Sequence, residues 1–323
     1  MSAQFESLAV ETGSRLHFGL IDPAGSSGRL YAGAGVMVEN PGIRLEAELA
    51  EGGDRVTADG PIAARVEDFL NRFRKSTGCD AFFNIDVTSC PADHLGLGTG
   101  TQLGMAIATA CSGLLGLEGG IETIAGRTSR GRRSAIGVHG FDRGGFLIDD
   151  GKTDERGLSA LRTRIELPQA WRFLLVITPG HRGLSGQKEA DCFKHLEAVP
   201  SQTVDRLEDL LKNVLVPAAE EDDWPAFSRA LHEFGLLAGV PFQEAQGGPF
   251  STLLAGEVAQ HLRQAGIEGV GQSSWGPTLY ALLPNQQEAE TAVAELRSRF
   301  GLGEQEVQLT QPRNRGAAVG APA

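Results

Sequence analysis

The sequence PADHLGLGTGTQLG at residues 91–104 connects a predicted strand to a predicted helix. Alternating apolar and polar residues at 81–87 indicate the strand, and apolar residues at helical spacing follow the glycines. Gly96, Gly98 and Gly100 permit positive φ and carry no side chain, so consecutive backbone N–H groups can face an anion. The first amides of the helix add donors and a partial positive charge. This arrangement predicts a phosphate-binding loop; a tight turn whose glycines serve only geometry is the alternative.

The loop lacks the signatures of two common nucleotide-binding motifs. The lysine of a Walker A loop is missing, and so is a short βαβ unit with an acidic residue about 20 positions onward, which marks a dinucleotide fold. Thr99, Thr101 and Gln102 are placed to donate further hydrogen bonds to a phosphate. The loop therefore predicts phosphate binding of a different class.

The composition of the 323-residue chain indicates a globular protein of about two domains. Apolar residues make up 41% and charged residues 22%, which is enough for a full core. The net charge of −12 argues against nucleic-acid binding, because affinity for polyanions comes mainly from lysine and arginine. We find no secretory leader, no apolar run of the ~20 residues that cross a bilayer, and no metal-type spacing of the four cysteines. We therefore expect a cytoplasmic protein with reduced thiols and no membrane partner.

Helical and strand-like segments intermix along the chain without a strict βαβ rhythm, which predicts an α+β fold. A helix is predicted to open at Pro61 and to end at Gly78, and glycine-rich residues 126–151 are predicted to form strands and loops. The second half is predicted to hold helices at about 202–215, 224–238, 251–265 and 286–300, and strands at 277–283 and 305–311.

The domain boundary is predicted from the apolar run that begins at Trp171. We place it just before that run, which gives domains at 1–168 and 169–313. Residues 314–323 lack both apolar periodicity and turn-forming order, so they are predicted to be a flexible tail.

The glycine-rich segment, extended to PADHLGLGTGTQLGMAIA, resembles the second motif of the GHMP kinase superfamily, the P-x-x-x-G-L-G-S-S-A loop that wraps nucleotide phosphates. Where those kinases have Ser-Ser-Ala, this chain has TGTQL at 99–103, a variant that resembles the β-ribofuranosylaminobenzene 5'-phosphate synthases. Further segments resemble that family in the same order: SRLHFGLID at 14–22 with GR at 28–29 and GAG at 33–35, RGRRSAIG at 130–137 with GGF at 144–146, GLSG at 183–186 with Glu189, and GQSSWGPT at 271–278. The resemblance implies a two-domain GHMP kinase-like α+β fold, with an N-terminal domain like ribosomal protein S5 domain 2 and a ferredoxin-like C-terminal α/β sandwich.

The resemblance also implies a reaction. Phosphoribosyl pyrophosphate would condense with 4-aminobenzoate, or with a close relative such as 4-hydroxybenzoate, and release pyrophosphate and carbon dioxide in an early step towards tetrahydromethanopterin. Mg²⁺ is the expected cofactor, because negative charge develops on the leaving group. A homodimer is expected as well. Two alternatives remain open: an ATP-dependent small-molecule kinase and a non-catalytic binding protein of the same fold, since fold does not fix function.

Asp22 and Arg29 are the leading catalytic candidates that the resemblance implies. Asp22 would bind the metal or stabilise the ribosyl cation, and the guanidinium of Arg29 would clamp a phosphate or a carboxylate. A turn-forming aspartate before Pro23 is the alternative for Asp22.

The remaining candidates are predicted to bind substrate, and each has an ordinary structural alternative. Arg15 and His17 lie two apart on a predicted strand, so both side chains point the same way. The other candidates come from three segments: Arg132 and Arg133 from a basic run that also holds Arg127 and Arg130, Lys188 after a glycine-rich turn, and Gln272, Ser273, Ser274 and Trp275 from GQSSWGPT. Trp275 would form an aromatic wall for the flat arene. The alternatives are a satisfied structural histidine for His17, a solvated surface run for the arginines, an exposed lysine without a ligand for Lys188, a polar turn for 272–274 and a core position for the tryptophan.

Overall fold

The computed structural model describes residues 6–154, 157–178, 180–183 and 186–322. Its first half alternates long strands with four helices. In chain order these are β1 (Ser7–Leu20), β2 (Gly33–Ala50), β3 (Arg55–Thr57), α1 (Gly60–Thr77), β4 (Phe82–Ser89), α2 (Thr99–Leu114), α3 (Ile121–Arg127), α4 (Ile136–Arg143), β5 (Phe146–Asp149) and β6 (Leu161–Ile165).

The second half is mainly helical around a smaller sheet. In chain order it contains β7 (Arg172–Ile177), α5 (Gly186–Lys194), α6 (Ser201–Asp209), a π-helical segment (Leu210–Leu215), α7 (Val216–Glu220), α8 (Trp224–Gly239), a 3₁₀ turn (Val240–Phe242), α9 (Gln243–Gln246), α10 (Leu253–Gln264), β8 (Gly269–Gln272), β9 (Thr278–Leu283), α11 (Gln286–Phe300), β10 (Val307–Thr310) and β11 (Ala318–Gly320).

The strands form two sheets within the described residues. The first has the order β11-β1-β2-β4-β3, with β5 paired to β2 and β6 paired to β5. The second has the order β10-β7-β9-β8 and is antiparallel throughout. The mixture of helices and sheets confirms the predicted α+β class, and the predicted boundary at 168 falls between β6 and β7.

Local sequence signals account for the best-defined helices. α1 begins with proline in its first turn and ends at Gly78, which is left-handed with φ 71°. The α11 helix is capped by Asn285, whose side chain accepts from the amide of Glu288, and it ends at left-handed Gly301. The apolar residues at helical spacing along α1 are buried: Ile62, Val66, Phe69, Leu70 and Phe73.

Two predictions about the fold were wrong. Residues 126–151 contain the end of α3, all of α4 and only one strand, because α4 packs against β1 and β2 although its sequence is rich in glycine. The flexible tail is instead ordered from 314 to 322. The side chain of Asn314 bonds the backbone of Leu167, and β11 pairs with β1. Arg313 anchors this segment, being 1% exposed and bonded to Glu39 at 2.6 Å.

The two halves share one core. Phe18 of β1 lies 5.4 Å from Tyr280 of β9 and 6.0 Å from Phe146 of β5, measured between ring centroids. Backbone bonds join the same regions, because the amide of Ser274 donates to the carbonyl of His17. The amide of Arg15 also donates to the carbonyl of Leu97 at 2.9 Å, so the second half of β1, the loop before α2 and the turn after β8 are held against one another.

The four cysteines carry free thiols. Burial raises the pKa of Cys90 to about 12, so this thiol stays protonated near neutral pH. In the part of the chain that the structure describes, no helix combines the length and apolar character needed to cross a membrane.

Candidate active site

The glycine-rich loop forms the N-terminus of α2. Gly96 and Gly98 have φ of 82° and 71°, and Gly98 is the cap residue from which the helix starts. Gly100 is helical and does not use the positive φ that glycine permits. A Cβ there would meet the guanidinium of Arg65, the end of a flexible side chain that would have to shift. The backbone and a cation thus meet at the first turn of α2.

A cavity of about 830 Å³ lies in front of this loop. We call it the large cavity. It is lined by β1, the loop, residues 129–134, the α5 helix and the turn after β8, among others. Both halves of the chain therefore contribute to its wall.

The side chain of Arg15, on β1, lies against the glycine-rich loop. A Cβ on Gly98 would lie 3.2 Å from its Nε. Its Nε and Nη1 are buried and have no hydrogen-bond partner among the residues that the structure describes. Burial lowers the pKa of Arg15 to about 10, partly opposed by Glu189, so the group remains charged at neutral pH. A buried charge without a partner is costly, and a bound anion would compensate it.

Two more arginines approach the same helix turn. Arg65 of α1 pairs with Asp93 at 2.9 Å, and Arg130 lies within 3.6 Å of the position that a Cβ on Gly100 would take. Burial, together with the neighbouring Arg65, lowers the pKa of Arg130 to about 10. Like charges gathered at a helix N-terminus form a strong anion site in an otherwise acidic chain.

His17 is bonded to a buried carboxylate through a serine. Its Nε2 lies 3.0 Å from Ser134 Oγ, and Ser134 donates to Asp149 Oδ2, also at 3.0 Å. Asp149 accepts further bonds from the amides of Ala135 and Gly151. Burial and the Arg15 guanidinium hold the pKa of His17 well below its usual range, so the ring is neutral.

An aromatic wall closes another part of the large cavity. Trp275 lies 4.7 Å from Phe242 and 6.0 Å from Phe193, between ring centroids. The guanidinium of Arg133 lies 4.3 Å above the ring of Phe193 and pairs with Glu189 at 2.7 Å. A flat ring with an anionic substituent fits such a surface.

Most of the predicted substrate-binding residues line this cavity: Arg15, His17, Gly96, Gly98, Thr99, Gly100, Thr101, Arg132, Arg133, Gln272, Ser274 and Trp275. The bond of Thr99 Oγ1 to the carbonyl of Ala92 shows that one predicted hydroxyl also serves the loop itself.

Three predicted contacts are not in the cavity wall. Gln102 is fully buried, accepts from Thr12 and donates to the carbonyl of Gly137, because its position on α2 faces the sheet. Ser273 is also buried; it donates to the carbonyl of Gly96 at 2.6 Å and thereby holds the loop. Lys188 is exposed on α5 and lies outside the wall. Leu184 and Ser185 of the GLSG segment lie outside the described residues.

Arg127 also differs from the basic run predicted around it. It is buried and donates to Ser112 Oγ at 2.6 Å and to the carbonyl of Glu118 at 2.8 Å. It therefore stabilises the end of α3 instead of binding substrate.

Asp22 and Arg29 line a second cavity of about 300 Å³, the small cavity, together with Asp150, Arg162 and Glu208. The Asp22 carboxylate accepts from the amides of Gly25 and Ser27 and from the hydroxyl of Ser26. This is the geometry of the turn-forming alternative, and it leaves little capacity for a metal ion. The catalytic role of the pair stays a prediction of the resemblance.

Sequence reasoning missed several residues of the large cavity. Arg65 lies on a helix whose pattern indicates only a buried face, Phe193 lies just after Glu189 but outside the quoted segment, and Phe242 lies far from any motif. Asp93 is inside the glycine-rich motif, and Ser134 is inside RGRRSAIG, so the motifs contained a signal for both. Asp149 had none, because its role depends on contacts across β5 and α4.

The fit of Mg²⁺ can be judged from the acidic groups. The described residues contain no cluster of three His, Cys, Asp or Glu side chains that could hold a metal ion. Mg²⁺ is often bound by one or two carboxylates plus substrate phosphates, however. Asp93 lines the large cavity, and its Oδ1 is buried without a partner among the described residues. This oxygen fits a single carboxylate ligand beside a phosphate.

Comparison with known proteins identifies the family. The chain is 30% identical over 330 residues to β-ribofuranosylphenol 5'-phosphate synthase of Methanothermobacter thermautotrophicus, covering 96% of this chain and 98% of that protein. The protein of the same name from Archaeoglobus fulgidus is 30% identical over 328 residues, covering 97% and 99%. This chain belongs to the β-ribofuranosylphenol 5'-phosphate synthase family. The predicted enzyme class, a pentosyl-transferring synthase, is confirmed by that membership.

Other comparisons confirm the GHMP kinase-like fold of this synthase. A family model described as the GHMP kinases C terminal matches residues 215–302. Homoserine kinase of Cytophaga hutchinsonii superposes with a TM-score of 0.65 at 17% identity, covering 99% of each chain. Mevalonate diphosphate decarboxylase of Staphylococcus aureus superposes with a TM-score of 0.69 at 13% identity, covering 98% of each chain. At such identities the likeness shows the fold alone, and the kinase alternative gains nothing from it.

Proposed function

We propose that this synthase transfers the 5-phosphoribosyl group of phosphoribosyl pyrophosphate to the carboxyl-bearing carbon of a para-substituted benzoate, releasing diphosphate and carbon dioxide. The observation that carries the proposal is the composition of the large cavity. Arg15, Arg65 and Arg130 gather around the start of α2, and an aromatic wall with Arg133 lines the same space. One cavity thus offers an anion site and a site for a flat ring.

The identity of the arene is the finer part of the proposal. The sequence resemblance led to 4-aminobenzoate, whereas the relatives are named after a phenol product. Replacement of the carboxylate by ribose gives a phenol from 4-hydroxybenzoate and an aniline from 4-aminobenzoate. We propose a para-substituted benzoate of one of these two kinds, and the assay below compares them directly.

The geometry accounts for the chemistry as follows. Breaking the bond from ribose C1 to diphosphate leaves positive charge on the sugar and negative charge on the leaving group. The amides at the start of α2 and the three arginines stabilise the diphosphate. The aromatic wall holds the carboxyl-bearing carbon of the ring near C1, which supplies much of the rate by positioning.

Mg²⁺ remains the proposed cofactor. When bound, it would neutralise developing charge on the diphosphate. Asp93 is the residue of this chain that we propose as a ligand, because its Oδ1 is buried and unpartnered among the described residues. Removal of divalent ions with EDTA should abolish turnover, and added Mg²⁺ should restore it.

The test uses purified enzyme, Mg²⁺ and phosphoribosyl pyrophosphate with either carboxyl-labelled 4-hydroxybenzoate or carboxyl-labelled 4-aminobenzoate. We expect labelled carbon dioxide and diphosphate in equal amounts with at least one arene, and a product mass that contains the ring and the phosphoribosyl group. Omission of phosphoribosyl pyrophosphate is the control. ATP with small sugars or alcohols forms the kinase arm. Phosphorylated product there, without carbon dioxide in the other arms, would replace the proposal with a kinase.

Three broader expectations accompany this function. The family resemblance supports a place early in tetrahydromethanopterin synthesis, a cytoplasmic location and a homodimer. Sedimentation of the purified protein would test the dimer independently of activity.

A further inference from the structure

The chain of hydrogen bonds from His17 through Ser134 to Asp149 joins three separate elements. His17 lies on β1, Ser134 precedes α4 and Asp149 ends β5. His17 and Ser134 line the large cavity, whereas Asp149 lies behind them and is fully buried. Neither phosphate binding nor the aromatic wall explains why a buried carboxylate should be connected to this histidine.

The donors around Asp149 determine in which direction each hydrogen bond of this series is donated. Its Oδ1 accepts from the amide of Gly151 at 3.0 Å and the hydroxyl of Ser159 at 3.1 Å. Its Oδ2 accepts from the amide of Ala135 at 2.8 Å and from Ser134 Oγ at 3.0 Å. Burial raises the pKa of Asp149, and the two amides with the hydroxyls of Ser134 and Ser159 oppose that rise. Because a fixed amide donates to each oxygen, we take the carboxylate as ionised. Ser134 therefore uses its single proton on Asp149.

Counting protons in the same way determines the tautomer of His17. Since the Ser134 proton is committed, its oxygen acts as an acceptor, and it already receives the amide of Ile136 at 3.2 Å. His17 Nε2 must then carry the proton of the 3.0 Å bond to Ser134. Burial and the charge of Arg15 keep the pKa of His17 low, so the ring holds only this one proton. Its Nδ1 keeps a free lone pair, and no described residue bonds to it.

We propose that His17 Nδ1 accepts the proton of the hydroxyl or amino group para to the arene carboxylate, with Ser134 and Asp149 as positioning residues that hold the required tautomer. The proposal rests on the proposed function. It adds the group that activates the ring, which the diphosphate site and the aromatic wall do not supply.

The proton and electron count balances without another reactant. The bond from ribose C1 to diphosphate breaks, and its electron pair leaves with diphosphate. The para substituent gives its proton to Nδ1, and the ring carbon that bears the carboxylate forms the bond to C1, which leaves a dienone or its imine analogue. Carbon dioxide then departs, its bonding pair restores the aromatic ring, and the para substituent takes the proton back from Nδ1.

The first test observes the tautomer directly in the intact enzyme. Two-bond ¹⁵N–¹H spectra of protein labelled in its histidines distinguish a protonated from an unprotonated ring nitrogen. We expect His17 to be protonated only at Nε2 in the wild type and to become a tautomer mixture in Ser134→Ala. The matched control is Ser159→Ala, which removes a bond to Asp149 Oδ1 but leaves the bonds from Ser134 to Asp149 and to His17. A wild-type His17 protonated at Nδ1 would overturn the proposal.

The second test separates proton acceptance from general damage. General base catalysis typically contributes about 10²–10⁴ in rate, and a mispositioned base loses part of that. We expect Ser134→Ala to lower kcat by about tenfold or more, while KM for phosphoribosyl pyrophosphate stays within about threefold. Ser159→Ala should keep the kcat of the wild type. An unchanged kcat in Ser134→Ala would overturn the positioning role.

The third test measures binding without turnover. In the absence of phosphoribosyl pyrophosphate, wild-type enzyme should bind 4-hydroxybenzoate about tenfold more tightly than 4-fluorobenzoate, which has no proton to donate. The preference should disappear in His17→Phe. A preference that survives would overturn the assignment of Nδ1 as the acceptor.

Failure of this proposal and failure of the proposed function are distinguishable. Suppose that the wild-type enzyme releases carbon dioxide. A His17 protonated at Nδ1, or an unchanged kcat in Ser134→Ala, then refutes only the proposed role of His17, Ser134 and Asp149. Wild-type enzyme that releases carbon dioxide from neither arene refutes the function, and this proposal with it.

Discussion

The large and small cavities both adjoin β1, but their charges are paired differently. In the large cavity, two nitrogens of Arg15 and one oxygen of Asp93 are buried without partners among the described residues. In the small cavity, Arg162 bonds both Asp150 and Glu208 at 2.6 Å, and Asp22 is surrounded by donors from its own turn. Buried polar groups are normally satisfied, so an unsatisfied set indicates ligand binding and a satisfied set indicates structural support.

The largest effect is expected at Arg15. Arg15→Met removes a buried guanidinium beside the glycine loop without removing a protein partner. We expect kcat/KM for phosphoribosyl pyrophosphate to fall by about 10²–10³, since a charged contact in a desolvated site is typically worth about 3–4 kcal/mol. The melting temperature should stay the same or rise, because an unpaired buried charge is lost. A destabilised variant with wild-type kinetics would show that Arg15 supports the fold and would remove the contrast between the cavities.

An intermediate effect is expected at Arg29, whose ion pair is weaker than those of Arg162 in the small cavity. Its side chain is 54% exposed, and its pair with Asp150 is 3.9 Å long. If the small cavity also meets a substrate anion, as the family resemblance predicts, lysine cannot reproduce the bidentate fork. We then expect Arg29→Lys to lower kcat/KM by about tenfold, a loss of about 1.4 kcal/mol. Arg162→Lys is the matched control and should keep its kinetics; equal losses in both would assign Arg29 to the ion-pair network.

The smallest effect is expected at Asp22 and concerns stability. Asp22→Asn keeps the size of the side chain but removes an acceptor from the turn, at a cost of about 1–2 kcal/mol, which lowers the melting temperature by roughly 2–5 °C. Burial acts to raise the pKa of Asp22, but hydrogen bonds from Ser27 and Ser26 outweigh it and lower the pKa. The stability it contributes is therefore present above its unfolded pKa of about 3.9 and is lost as pH falls.

The difference in melting temperature between wild type and Asp22→Asn should accordingly shrink below about pH 4. Turnover decides what else this residue does. If kcat of Asp22→Asn falls by about 10²–10³ and high Mg²⁺ partly rescues it, Asp22 is a catalytic residue and a metal ligand. The small cavity would then be part of the active site.

Sequence patterns predicted the elements whose signals are local. The α11 helix begins after Asn285 and ends before Gly301 as predicted, because a cap and a left-handed glycine act within one turn. The phosphate loop was predicted for the same reason, since its glycines and its helix are adjacent in the chain. Family resemblance supplied the fold of the whole chain, which local periodicity alone would have left as a general α+β class.

Predictions failed where a residue's role depends on distant partners. Gln102 and Ser273 lie in motifs, yet each turns towards the interior to satisfy a backbone carbonyl or a threonine. The connection from His17 to Asp149 spans more than a hundred residues and has no local signature. Residues 314–322 were misjudged likewise, since their bonds are made with β1, Leu167 and Glu39.

The pairing of β11 with β1 has a consequence for synthesis on the ribosome. The first sheet is translated up to β6 before about 150 further residues emerge and β11 can pair with residues 9–11 on the edge of β1. At about 5–20 residues per second this interval lasts roughly 8–30 s. During that time the unpaired edge is available to strands of other nascent chains or to a chaperone. The rate of translation, as well as the fold, therefore determines how long this surface is exposed to aggregation.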